Sequence, residues 1–257
     1  MKILVTGYTG LIGKSLARSL STLGYEVFVW PKSSILDLRS RKDVDLYFHN
    51  KFFDVVVHCA IKGTSDTKSK DWSIMDTNLQ MYYNLLAKRD HFDKFISIGS
   101  GAEFFMNDKS YGLSKRVIHH SIEGQDNFYN LRVFGIFDEN ELDTRFVKSN
   151  VLRYIKKEPM IIYQDRHMDF IYMEDFIKIV KHYIECKDLK KTVDCVYPDT
   201  YKLSDIANII NTLDKYKVQI DIKEKDLAEG YCAFTKLISL DFIGMASGIR
   251  NVYNKLK

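Results

Sequence analysis

The amino-acid sequence predicts an α/β fold, a doubly wound parallel sheet followed by a small α+β lobe. Three observations carry that expectation. β-Branched runs alternate with helical amphipathic segments over about the first 135 residues. The strand runs are apolar at consecutive positions, as in "ILV", "VVV" and "FISI", which fits strands covered by helices on both faces. After Phe137 the alternation becomes irregular and the apolar runs shorten.

The elements follow in order. "KILVTG" reads as the first strand and Ile12 to Leu23 as its helix, then "EVFVW" as a strand and Arg41 to Phe48 as a short helix. "DVVVHCA" is the next strand, Ile74 to Lys88 a helix, "KFISIGS" a strand, Tyr111 to Ile122 a helix, and "FYNLRVFGIF" a strand. In the second part "RFVKSNVLRYIKK" and "FIKIVKHYIECK" read as helices, and "PMIIYQDRHMDFIYMEDF" holds one or two strands. A short strand from Thr192, a helix at "LSDIANIINTL", a strand at "KVQIDI" and a terminal helix at "SGIRNVYNKL" complete the chain. Pro159 and Pro198 mark the joints, and no repeat or low-complexity segment appears.

Composition excludes several classes. The 257 residues are 46% apolar and 28% charged, enough to bury a core unaided. No run approaches the roughly 18 apolar residues of a membrane span, and Met1-Lys2 leads straight into a strand, so a soluble cytoplasmic protein without a membrane partner is expected. The 38 basic and 34 acidic residues are interleaved, without the basic, aromatic-studded stripe of a nucleic-acid surface. Cys59, Cys186, Cys195 and Cys232 form no C-x-x-C pair, so neither a metal ribbon nor a disulfide framework is expected.

Chemistry begins at "VTGYTGLIG". Gly7 permits a tight strand-to-helix turn, Gly10 lets backbone approach a ligand, and Gly13 lets helix and strand pack closely. The free N–H groups of the helix start, at Leu11 and Ile12, together with its positive dipole end, suit a dinucleotide's pyrophosphate. An acid ending the second strand would bind a ribose diol; here Lys32 and two serines stand there, which favours NADP over NAD and leaves NAD possible. Asp37 and Leu38 are placed to frame the adenine, with a helix N-cap an equal use for Asp37.

Tyr111 and Lys115, in "SYGLSK", are spaced to share one helix face, where an ammonium lowers the pKa of a phenol and makes it an acid/base for a carbonyl or alcohol oxygen. The same spacing recurs at Tyr47 and Lys51, Tyr183 and Lys187, and Tyr253 and Lys257. Position distinguishes the Tyr111 and Lys115 pair, because it follows the strand whose C-terminal end carries Ser100, a hydroxyl able to share the substrate oxygen.

Together "VTGYTGLIG", the "HCA" ending, Asn78, Ser100 and "YGLSK" resemble the extended short-chain dehydrogenase/reductase family, its NAD-dependent epimerase/dehydratase group acting on nucleotide sugars. The short link from Trp30 to "LDL" is most similar to the short-linker reductases such as GDP-fucose synthases and dehydrorhamnose reductases. The resemblance spans nearly the whole chain and implies a Rossmann domain over 1–135 and 168–188, with a substrate lobe over 136–167 and 189–257. It counts "HCA" as closing a fourth strand, "KFISIGS" as the fifth and "LRVFGIF" as the sixth. It implies Tyr111 as general acid, Lys115 tuning it and holding the nicotinamide ribose, and Ser100 orienting the carbonyl. It also implies Cys59, Ala60, Asn78 and Phe134 as cofactor neighbours and helices 74–88 and 111–122 as a homodimer contact. Arg145 and Lys148 resemble cations that relatives place on the substrate diphosphate, with an exposed helix face as their alternative use.

The departures narrow the reaction. Dehydratases of the group carry Thr-Asp-Glu where this chain has Ser100, Gly101 and Ala102, so dehydration is not expected. The GDP-fucose synthases have a cysteine in place of Ala102 and a histidine where this chain reads "FDENELD", so no pair for removing a carbon-bound proton is seen. Met168 replaces the arginine of an R-D-F triplet, with Arg166 and His167 just before it, and Gly135 replaces an asparagine. His119 and His120 read as surface or dimer-contact residues. The expected activity is NADPH-dependent reduction of a keto-deoxy sugar on a nucleoside diphosphate. A 4-epimerase retaining its NAD and a non-catalytic NADP-binding regulator are the alternatives.

Overall fold

The first strand, β1 (Lys2–Thr6), is apolar at consecutive positions and buried from Ile3 onward, an interior strand with parallel partners along both edges. The computed structural model describes residues 1–63, 71–106, 108–236 and 240–257. After β1 come α1 (Leu11–Thr22), β2 (Glu26–Val29), α2 (Arg41–Phe48), β3 (Phe53–His58), α3 (Trp72–Leu86) and β4 (Phe92–Ser100). These are followed by the one-turn α4 (Ala102–Phe105), α5 (Ser110–Glu123) and β5 (Phe128–Val133). With β10 (Thr192–Cys195) the strands form a six-stranded sheet in the order β10-β5-β4-β3-β1-β2, in which β1 runs parallel to β2 and β3, and β3 to β4. The expected parallel α/β sheet is thus present, with β1 and β3 adjacent and the ends of β1, β3 and β4 at one edge.

The chain divides into two compact units, 1–132 with 180–193 and 133–179 with 194–257. The first is packed around aromatic side chains. Phe95 and Phe128 stack with ring centres 4.8 Å apart, and Trp30 lies 4.4 Å from Tyr47. Burying each such side chain contributes about 1.5–3 kcal/mol.

Residues 31–40 form turns and hold no strand. The Trp30 indole donates to Leu36 O at 3.0 Å, and Lys32 O accepts from the Ile35 and Leu36 N–H groups, so the backbone is spent on itself. "HCA" therefore ends the third strand and "FISIGS" the fourth.

The second unit carries β6 (Ile136–Phe137), α6 (Phe146–Ile155), β7 (Met160–Gln164), β8 (His167–Met168) and β9 (Ile171–Tyr172). Helix α7 (Met173–Glu185) contains the boundary between units, and β11 (Tyr201–Lys202), α8 (Leu203–Ile210), β12 (Ile220–Glu224) and α9 (Met245–Leu256) complete it. Three two-stranded pairs, β6 with β9, β7 with β12 and β8 with β11, accompany the mutually packed α6, α8 and α9. The run read as one strand over "FYNLRVFGIF" is broken at Gly135, where a Cβ would stand 2.5 Å from the Phe170 ring. Among the described residues no helix is long and apolar enough to cross a membrane.

Candidate active site

The glycine turn shows which of its three glycines the protein itself requires. Gly7 has φ +67°, and a Cβ there would lie 2.6 Å from Ala60 N. A Cβ on Gly13 would lie 2.3 Å from Gly7 O. At Gly10 it would meet only Gly7 O, at 3.5 Å, an ordinary contact. Packing accounts for the first and third, while the second faces outward at the α1 N-cap. No side chain caps this helix and no acid occupies its first turn, so the N–H groups at Leu11 and Ile12 have no side-chain acceptor competing for them. The cradle fits a diphosphate.

Thr6, Cys59 and Ala60 close the turn from β3. The Thr6 hydroxyl accepts from the Cys59 and Ala60 N–H groups, both at 3.1 Å, and donates its one hydrogen to His58 Nδ1 at 2.9 Å. His58 is therefore the Nε2–H tautomer. Burial, with the charge of Lys115, pushes its pKa down to about 3, and burial pushes the Cys59 thiol up to about 12.

Lys32 is exposed after β2, with no side-chain hydrogen bond or ion pair among the described residues. Asp37 is not the α2 N-cap; Ser40 is, accepting from Asp43 N at 3.2 Å. Asp37 instead holds Arg39 through two carboxylate oxygens, the shortest contact 2.6 Å, and this keeps its carboxyl below the usual range. Leu38 is buried, its carbonyl accepting from Asn84. Asn78 spends its whole amide on structure: its oxygen accepts from Lys62 N at 2.8 Å, and its nitrogen donates to Lys62 O and Ser114 Oγ at 3.1 and 3.0 Å. It ties the loop after β3 to α5.

Ser100 ends β4, its Oγ accepting from Ala102 N at 3.2 Å. Tyr111 and Lys115 lie one turn apart on α5, both buried, and Tyr111 packs with Ile74, Ala102 and Met106. The Lys115 ammonium donates to Ile98 O, two residues before Ser100, which pins that face of α5 to the end of β4. Burial brings the Lys115 pKa down to about 8, against the opposing pull of Glu103 and Cys59. The first unit thus gathers the glycine turn, Cys59, Ala60, Ser100, Tyr111 and Lys115 around neighbouring strand ends.

Phe134, Arg145 and Lys148 belong to the second unit. Phe134 is buried with its ring 5.5 Å from that of Tyr231. Arg145 caps α6 and is half-buried. Lys148 is buried, donating to Glu141 O and pairing with Asp143, both at 2.8 Å. Burial pushes the neighbouring Glu141 up to about 8.

Sequence reasoning missed a buried polar cluster below Ser100, made by Glu103 of α4 and Asn130 of β5. A glutamate in "AEFF" and an asparagine inside the apolar run "FYNLRV" were the available signals, since polar groups at core positions demand partners. His119 is turned inward, 3.2 Å from Thr192 Oγ1, and only His120 is exposed.

The profile of the NAD dependent epimerase/dehydratase family matches residues 3–196. The chain belongs to that family. It is an enzyme family, and the resemblance drawn from the glycine turn and the Tyr-Lys pair is borne out. A GDP-L-colitose synthase of Yersinia pseudotuberculosis is 30% identical over 122 residues, 46% of this chain but 39% of that protein's own length. The fold matches a GDP-mannoheptose C4 reductase of Campylobacter jejuni, solved with NADP bound, at TM-score 0.77 and 15% identity over 98% of this chain and 97% of that one. It matches a UDP-glucuronic acid 4-epimerase of Bacillus cereus, solved with NAD, at TM-score 0.74 and 19% identity over 99% and 98%.

Proposed function

We propose that this family member is an NADPH-dependent ketoreductase acting on a keto-deoxy sugar carried by a nucleoside diphosphate. The observation that carries the reading is the bond from Lys115 to the β4 backbone, which brings the α5 face of Tyr111 and Lys115 to Ser100 at the strand end. A nicotinamide held there would supply hydride for the carbonyl carbon. Ser100 keeps its hydroxyl hydrogen for the carbonyl oxygen, since its Oγ acts only as acceptor toward Ala102 N. Tyr111 donates its phenolic proton to that oxygen as negative charge grows there. Lys115, held in a buried setting, favours the phenolate left behind.

Leu11, Ile12 and the turn at Gly7, Gly10 and Gly13 hold the pyrophosphate, with Cys59, Ala60 and Leu38 along the adenosine side and Phe134 beside the nicotinamide end. Asn78 acts through the loop it fixes. Lys32 binds the 2′-phosphate that distinguishes NADP, and NAD is the second cofactor considered. Arg145 and Lys148 serve the substrate diphosphate, Lys148 by exchanging Asp143 for a phosphate oxygen.

Dehydration is disfavoured because Gly101 and Ala102 offer no acid, and the Glu103 carboxylate is spent on Asn130 and the Ser100 N–H. A 4-epimerase retaining NAD uses the same three side chains and is the second reading; the 4-epimerase among the fold relatives keeps it in view. We place the protein in the cytoplasm as a homodimer through α3 and α5, where Trp72 and Tyr83 of α3 are exposed and offer apolar surface. Sedimentation at micromolar chain concentration reads the oligomeric state.

The test is purified protein with NADPH and a panel of nucleotide-linked 4-keto sugars. Cofactor oxidation with at least one sugar is expected. No oxidation with any, together with nicotinamide that copurifies and survives dialysis, transfers the assignment to the epimerase.

A further inference from the structure

The Glu103 carboxylate has no place in the reaction as derived, yet the fold is shaped around it. The side chain is 2% exposed, on the one-turn helix that follows Ser100. Its Oε1 accepts from the Ser100 N–H and from Asn130 Nδ2, both at 3.1 Å, and Oε2 lies 3.3 Å from the same Asn130 nitrogen. Asn130 is itself 1% exposed in the middle of β5.

The residue between Ile98 and Ser100 must be glycine for this cluster to exist. A Cβ on Gly99 would stand 2.3 Å from Asn130 Oδ1 and 2.7 Å from Glu103 Oε1. Gly99 has no positive φ, so the space, not the backbone conformation, is what it provides. Three positions on two strands and a helix therefore cooperate to seat one carboxylate beneath the serine.

Other charged groups face it. Arg132 of β5 approaches Oε2 at 3.9 Å, and so does His119 Nδ1 of α5. Lys115 of α5 donates to Ile98 O, two residues before the Ser100 N–H that Glu103 accepts, so the two side chains meet the same stretch of β4. Lys115 also faces His58 at the end of β3, Cys59 just after it, and Tyr111 on its own helix. Cys59 is a neutral thiol at working pH and His58 a neutral imidazole, because burial shifts both away from their charged forms. Of the groups that favour a charged Lys115, Glu103 is the one able to carry negative charge near neutrality, its own pKa raised by burial to about 7.

We propose that Glu103 is a positioning residue of this active site: with Asn130 it braces the Ser100 turn from below, and its charge holds Lys115 in the ammonium form. The assignment rests on the reading of Ser100, Tyr111 and Lys115 as the reacting groups. It gives the site a proton-linked element that touches neither substrate nor cofactor.

The test follows the 13Cε resonance of Lys115 across pH in the full chain, assigned by its loss in Lys115→Met, and needs no substrate. In the native protein the Lys115 shift is expected to show an inflection that coincides with titration of the Glu103 13Cδ signal. In Glu103→Gln, which keeps size and shape, that inflection disappears and the Lys115 midpoint falls by roughly one pH unit, the effect of losing a nearby opposite charge. A native titration lacking the shared inflection overturns the proposal whether or not the variant folds. An unchanged midpoint in folded Glu103→Gln overturns it as well. With a substrate in hand, the alkaline limb of kcat moves down with the Lys115 midpoint, and a limb that stays in place counts against the assignment. A chain that reduces no keto sugar defeats the reductase reading alone, and the resonance titration still decides on Glu103.

Discussion

At the scale of single residues, the proposed chemistry draws on buried polar side chains, among them Lys115, whose burial opposes its usual charge. Tyr111→Phe removes the only proton the proposed mechanism asks of that residue, so kcat is expected to fall by about 10²–10⁴ with little change in KM, measured by loss of reduced nicotinamide. His58 supports a prediction about stability. Burial holds its pKa near 3 in the folded chain, against about 6.5 when unfolded. Between those values the unfolded state binds a proton that the native state does not, so the His58 contribution is lost as pH falls from about 6.5 toward 3. The loss across that window is on the order of 5 kcal/mol. Urea titrations at neutral pH and near pH 4 measure it, and His58→Asn, whose side-chain oxygen still accepts from Thr6, is expected to lose less than the native protein.

At the scale of elements, the strand-turn-helix after β1 separates what the fold needs from what a ligand needs. Gly13→Ala drives a methyl group toward Gly7 O and is expected to destabilise by about 1–3 kcal/mol, the usual cost of overpacking. Gly10→Ala meets no such obstacle and is expected to cost about 0.5–1 kcal/mol, the preference for glycine over alanine at an N-cap, while weakening cofactor affinity about tenfold or more. Denaturation midpoints read the first effect and nicotinamide fluorescence titration the second. The turn was legible in advance because a buried parallel strand and an amphipathic helix announce themselves by period, and the glycines fell between them. The two-residue strands β8 and β11 were not legible, since no periodicity can develop over two residues. The close approach at Gly135 was hidden for another reason: the Phe170 ring that leaves no room for a Cβ there comes from far along the chain. Glu103 escaped notice because its partners come from β5 and α5, and only the folded sheet brings them to Ser100.

At the scale of the whole molecule, the order of apolar runs was enough to anticipate a parallel sheet, and the glycine turn with Tyr111 and Lys115 was enough to anticipate the family. Cofactor choice is a finer matter, because in the proposed site it turns on Lys32, a side chain that no folded contact constrains. The Lys32 ammonium has no hydrogen-bonding or ionic partner among the described residues, so its replacement leaves stability without ligand within about 0.5 kcal/mol. Ligand linkage then isolates its role. At a hundredfold excess over Kd a cofactor stabilises by about 2.7 kcal/mol. For a chain of this length each kcal/mol moves Tm by roughly 2–4 °C, so NADPH should raise Tm by roughly 5–10 °C. NADH at equal concentration is expected to give a smaller rise, because it lacks the 2′-phosphate. In Lys32→Glu the NADPH shift should shrink to that of NADH or below while the ligand-free Tm stays in place. Equal shifts for the two cofactors in the native chain would remove Lys32 from the site and favour NAD.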